Sequence, residues 1–156
     1  LFEKQQVLRK EEVHARVEVE LENYILKLQI EARVLLQMAR GTILPAAIDY
    51  QSQLLLNVQS LNEVFGEDTP KYGGAQLELV KQAGALIQQI HRESLELDSI
   101  HDALEKLESA SEKAKGYAEK MFPSMEALGV TCAQLEVTVD DALWPLPKFT
   151  ELLFTR

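Results

Sequence analysis

The chain is expected to be all-α, built from long kinked antiparallel helices as a helical hairpin or elongated bundle, with an extended proline- and aromatic-rich C-terminal tail. Three observations predict this. Only 7 glycines and 5 prolines occur in 156 residues, and Leu, Ala, Glu, Gln and Lys dominate, a balance that favours helix. From Ile25 onward, apolar or small residues recur at the helical period. From Leu79 the spacing becomes a 4-3 heptad that persists almost to the C-terminus.

The first helix is predicted over 11–65. Its stripe is Leu28, Ala32, Leu36, Ala39, Ile43, Ala47, Tyr50, Leu54, Val58, Leu61 and Phe65, and it stays in phase across Pro45. A proline inside a helix removes one hydrogen bond and costs about 3 kcal/mol, so a kink is expected after Thr42 or Ile43. Such a helix would span on the order of 80 Å, too long for an ordinary compact domain. Gly66, Asp68, Pro70, Gly73 and Gly74 make 66–74 a turn, with Thr69 as N-cap before Pro70.

The second helix is predicted over 75–143. One heptad row is Ala83, Ile90, Leu97, Leu104, Ser111 and Ala118; the other is Leu79, Leu86, Glu93, Ile100, Leu107, Ala114 and Met121. Met125, Leu128, Cys132, Leu135, Val139 and Ala142 keep the spacing past Pro123, so this helix should kink near 123 and continue. A hairpin of these two arms would oppose residues whose numbers sum to about 140, setting Pro45 near Leu95. A folded-over bundle of three or four shorter helices competes with it. The β-branched Val137–Val139 could be read as strand, but the intact heptad favours helix.

Pro145 and Pro147 each fix φ, lack a backbone donor and push the preceding residue from the α region, so helix should stop near Leu143. The segment 144–156 then carries Trp144, Leu146, Phe149, Leu152, Leu153 and Phe154, more apolar surface than a solvated terminus should hold. It reads as a docking tail, with Trp144, Pro145, Leu146, Pro147, Phe149, Leu153 and Phe154 as the interface residues.

Charge narrows the partners. Eight acidic residues against three basic ones lie between Ala75 and Glu112, which would repel a phosphate backbone, so no nucleic acid is expected. The first forty residues carry seven charges of each sign, as suits a helix surface laced with ion pairs. No apolar run approaches the ~18 residues that cross a bilayer, so no membrane partner is expected. The single Cys132 cannot form an internal disulfide, which points to a reducing, cytoplasmic setting.

Polar residues within the pattern have structural and chemical readings. Glu31 and Glu93 interrupt the seams, where a carboxylate can snorkel, pair with a facing cation or fix register. Glu11-x-x-His14 and Asp98-x-x-His101 have the i, i+3 spacing used by di-metal bundles. The two motifs would sit far out of register in an antiparallel pair, so no metal site is assigned. His91 is read as a partly buried packing residue, and Cys132 as part of the apolar seam. No nucleophile–base set and no glycine-rich phosphate loop occurs, so neither catalytic nor cofactor-binding residues are assigned.

Several segments together resemble one family: LFEK with Val7-Leu8, EEVHAR at 11–16, IEAR at 30–33, MARGTILPAA at 38–47 with Tyr50-Gln51, AKGYAEKMFPSMEAL at 114–128, and the tail DDALWPLPKFTELLF. Their order and spacing resemble the C-terminal helical region of type III glutamine synthetases, ATP-dependent glutamate–ammonia ligases. Val17, Gly129 and Phe149 depart from that pattern. The resemblance implies a catalytic domain upstream of Leu1, where ATP and Mg would bind, and a homo-oligomer in which this region packs on its own catalytic domain and on neighbouring subunits. It implies a structural and assembly role here, the parent enzyme making glutamine from glutamate, ammonia and ATP. The alternative is a free-standing coiled-coil adaptor without enzymatic activity, offering a groove to another helix.

Overall fold

The computed structural model describes residues 9–148 and 151. All regular elements among them are helical: α1 (Lys10–Met38), α2 (Leu44–Phe65), α3 (Thr69–Tyr72), α4 (Gly74–Glu105), α5 (Ala110–Gly116) and α6 (Phe122–Thr138). The chain is therefore all-α.

Two π-helical turns join these helices, and both sit just ahead of a proline. Ala39–Ile43 links α1 to α2 and ends two residues before Pro45; Tyr117–Met121 links α5 to α6 and ends two residues before Pro123. A proline has no N–H for the carbonyl four residues back, and its ring collides with that carbonyl. Widening the preceding turn lets the helix continue without that bond, so each proline is met by a π-turn.

The residues form two compact units, one within 1–34 and 96–126, the other within 35–95 and 127–156. In the first, Leu28 and Ala32 of α1 are buried, as are Leu97 and Leu104 of α4, Ala114 of α5, and Tyr117 and Met121 of the π-turn. In the second, Ala39, Ile43 and Ala47 of the first arm, Ala83 and Ile90 of α4, and Leu128, Leu135 and Val139 of the last segment are buried. The 3.6-residue stripe holds down to Leu61, while Phe65 is exposed and stacks on Tyr72 at 4.6 Å between ring centroids.

The single second helix over 75–143 is corrected by the structure. The chain leaves helix at Lys106–Ser109 and re-enters it as α5, and α6 ends at Thr138. Ser109 sits at φ −79° and ψ 123°, and its hydroxyl accepts the Glu112 N–H at 3.4 Å. Ser109-x-x-Glu112 is a capping-box pattern, a start signal that heptad counting passes over. Beyond it the chain folds back. In the first unit Tyr117 meets His101 and Lys113 meets Glu105; in the second Gln89 meets Thr131. Three helical segments thus pack in each unit, the folded-over bundle rather than the two-arm hairpin.

The register of the first two arms also differs from expectation. Arg40 Nη2 donates to the Ser94 carbonyl at 2.8 Å and Gln51 Nε2 to that of Val80 at 3.4 Å, so opposed numbers sum to 134 and 131 rather than about 140. The cause lies in the turn. Gly66 caps α2 at φ 54°, a left-handed conformation that only glycine adopts without strain. The chain reverses there, and Thr69–Tyr72 already belongs to the return arm. Thr69 accordingly is not an N-cap: it lies inside α3, and its hydroxyl donates to the Gly66 carbonyl at 2.6 Å.

Candidate functional site

The C-terminal segment starts from the end of α6. Asp140 closes a turn in which its side-chain Oδ1 accepts the Ala142 N–H at 2.7 Å and its carbonyl accepts the N–H groups of Leu143 and Trp144 at 3.0 Å. Lys148 then reaches back: its Nζ donates to the Val139 carbonyl at 3.1 Å and pairs with the Asp141 carboxylate. A cation on an orphan carbonyl at a helix C-terminus satisfies both the hydrogen-bonding need and the dipole. The tail is thereby fastened to the helix it follows.

Of the residues assigned to docking, Trp144 is buried at 8% exposure, Leu146 is half-buried, and Pro145 and Pro147 are exposed. Phe149, Leu153 and Phe154 lie outside the described residues. Trp144 is buried within the single chain, and its Nε1 is buried with no hydrogen-bond partner. The indole therefore anchors the tail to this chain, while the two proline rings face outward.

A polar network forms the centre of the first unit. Tyr117 is fully buried; its hydroxyl donates to Glu105 Oε1 at 2.9 Å and accepts from Gln29 Nε2 at 3.1 Å. His101 Nδ1 lies 3.0 Å from the same oxygen. With the proton spent on Glu105, that nitrogen must donate, which sets the histidine tautomer. Lys113 Nζ pairs with the other Glu105 oxygen at 3.3 Å. Burial, reinforced by the Glu105 charge, pushes the Tyr117 phenol up to about 12. Burial raises the Glu105 carboxyl, but its bonds to Tyr117, Lys113 and Gln29 outweigh that and leave it below its ordinary value.

Beside this network, a cleft of about 230 Å³ is bounded by Glu22, Gln29, Glu108 and Lys113, smaller than ligand pockets of roughly 300–1,000 Å³. A groove of about 530 Å³ in the second unit runs past Leu55, Val58, Asn62 and Leu77, with Glu67 its one charged lining residue. The first cleft brings Glu22 and Glu108 to Lys113, whose ammonium is already paired with Glu105.

Glu93 is half-buried in the second unit. Its Oε1 accepts from Gln89 Nε2 at 2.8 Å, the same amide reaching Thr131 Oγ1 at 3.1 Å, and its Oε2 is buried without a hydrogen-bond partner. Cys132 is buried, and burial with the nearby Glu93 charge raises its thiol to about 11. A thiol held so high is a packing group rather than a nucleophile.

Two assignments change. Glu31 does not lie in a seam: it is exposed and pairs with Lys27 one turn away at 4.0 Å. His91 is exposed rather than partly buried. Among the described residues no three His, Cys, Asp or Glu side chains converge as metal ligands. No described helix is long and apolar enough to cross a membrane. Sequence reasoning missed the Tyr117 network, although the i, i+4 pair His101 and Glu105 placed both partners on one helix face.

Comparison with known proteins supplies the remaining observation. Residues 1–62 match the family model described as glutamine synthetase C-terminal domain. A glutamine synthetase of Bacteroides fragilis is 35% identical over 153 residues, covering 97% of this chain and 21% of that protein. A type-3 glutamine synthetase of Dictyostelium discoideum is 25% identical over 162 aligned positions, covering all of this chain and 21% of that protein. The chain spans about a fifth of the length of these relatives.

Proposed function

We propose that this chain, whose first 62 residues belong to the glutamine synthetase C-terminal domain family, is the structural and assembly domain of a type III glutamine synthetase. The carrying observation is a likeness to a glutamine synthetase that runs over nearly the whole length of this helical chain. The chemistry, making glutamine from glutamate, ammonia and ATP with Mg, belongs in this reading to the part of the parent protein absent from the chain. This region's partners are then that catalytic part and neighbouring subunits, in the cytoplasm. A helical domain whose tail is pinned by Lys148 and Trp144 can present Pro145 and Pro147 on a fixed scaffold, which lowers the ordering cost of docking.

The experiment compares the full-length enzyme with a version truncated after Asp141 and with a Pro145→Ser/Pro147→Ser variant. Since both prolines are exposed, the second variant leaves the helical core intact. Assembly size and thermal stability should fall in both. Unchanged assembly, stability and activity in both would refute the proposal.

A further inference from the structure

The inner row of the second unit comes into the open toward the turn. On the first arm Ile43 and Ala47 are buried, Leu54, Val58 and Leu61 are half-buried, and Phe65 is 39% exposed. On the return arm Ile90, Leu86 and Ala83 are buried, Leu79 is half-buried, and Tyr72 is 53% exposed. Intervals of three, four and seven residues keep each set on one helix face, so a single face changes from core to surface along its length. The arms have not separated, because Phe65 and Tyr72 still stack at 4.6 Å between ring centroids.

What ends is the third segment. Gln89 opposite Thr131 sets opposed numbers in an antiparallel pair at a sum of 220, so α6, stopping at Thr138, stops opposite Gln82. From Lys81 to Tyr72 the return arm runs on for about 15 Å, and over that stretch the row opens. The tail starts where α6 stops. Trp144 is buried at 8% exposure, and Lys148 is held at the Val139 carbonyl, the level of Lys81. Beyond it, 149–154 carries Phe149, Leu152, Leu153 and Phe154. Six residues reach about 9 Å as helix and about 20 Å extended, which brackets the open stretch. Tethered there, the segment is present at an effective concentration on the order of millimolar, which an untethered partner would have to exceed.

We infer that segment 149–154 lies along the inner row past the end of α6 and covers the Phe65–Tyr72 pair of its own chain. It takes the place of the third helical segment over the last turns of the two arms. The apolar residues of the tail and those of the open row then remove each other from water. The inference goes beyond the assembly role and does not rest on it, since Pro145 and Pro147 remain on the outside.

In the 156-residue chain, nitration of Tyr72, located by peptide mass, should be severalfold slower than in a chain ending at Lys148 and in a full-length Phe149→Ser/Leu153→Ser variant. Tyr24, in the first unit, should react at one rate in all three. Unchanged circular dichroism and slow labelling of Cys132 report that the helical core is kept. In a Cys132→Ala background, Tyr72→Cys paired with Leu152→Cys or with Leu153→Cys should close an intramolecular disulfide under mild oxidation, which needs Cα atoms within about 7 Å. Leu56→Cys with the same partners should not, because Leu56 lies on the outer face of the first arm. Equal nitration of Tyr72 with and without the segment, closure through Leu56→Cys, or disulfides that form only between chains would each overturn the inference; the last would assign the open row to the tail of another copy. The truncation after Asp141 reads assembly of the full-length enzyme, so either proposal can fail while the other stands.

Discussion

The Tyr117 hydroxyl donates to Glu105 Oε1 at 2.9 Å across a chain reversal, from a π-turn to the last residue of α4. With Gln29 of α1 on the same hydroxyl, one buried oxygen ties three helical segments of the first unit. Replacing Tyr117 by Phe leaves His101 Nδ1 facing an apolar ring, while Gln29 keeps its bond to Glu105 Oε1 at 2.7 Å, and a polar group left unsatisfied costs about 1–3 kcal/mol. Tyr117→Phe should lower the denaturation midpoint without loss of helix, as read by circular dichroism in urea; an unchanged midpoint would show the network to be ornamental.

The same phenol makes stability depend on pH. Its folded value of about 12 lies above the ordinary 10.0, so the folded state holds the proton more tightly than the unfolded state. The contribution is fully present below pH 10 and is lost as pH rises from 10 toward 12. Ultraviolet titration should find one tyrosine ionising late or only with unfolding, and Tyr117→Phe should remove that late phase.

Cys132 provides an independent reporter. Its thiol, raised to about 11 by burial and by Glu93, should react with a disulfide reagent far more slowly than a free thiol at neutral pH, and at an ordinary rate once denatured. Glu93→Gln removes the charge and should lower the thiol's titration midpoint. A rise, or rapid labelling of the native protein, would contradict the geometry.

Trp144 is the chain's only tryptophan, so its fluorescence reports on the tail alone. Emission should be blue-shifted in the native state. Trp144→Ala should cost about 3–5 kcal/mol, the range for deleting a large buried aromatic group. Solvent-like emission from the native chain would mean that the tail is not anchored.

Gly116 marks the close approach of α5 to α4, because a Cβ there would run into the buried Leu104 side chain. Gly116→Ala would ordinarily strengthen a helix, yet overpacking typically costs about 1–3 kcal/mol. The variant should melt earlier than the parent. A higher melting temperature would show that Leu104 can yield.

What the sequence by itself determined is periodicity: the inward row along α1, α2 and α4, that the chain is helical, and that Pro45 and Pro123 mark disturbances, whereas Ser111 and Ala118 of the predicted inner row are exposed and Tyr117 is buried in their place. The row, the helicity and the disturbances follow from local stereochemistry and from the spacing of apolar residues. Direction does not, since a 4-3 repeat reads the same whether the helix runs straight on or folds back. The residues Lys106-Leu107-Glu108-Ser109 contain no glycine or proline to announce the reversal. The tertiary structure alone decided that turn, the register set by Gly66, and the meeting of Gln29, His101, Glu105 and Tyr117. Each depends on which surfaces lie against one another in space, and no spacing along a single helix encodes that.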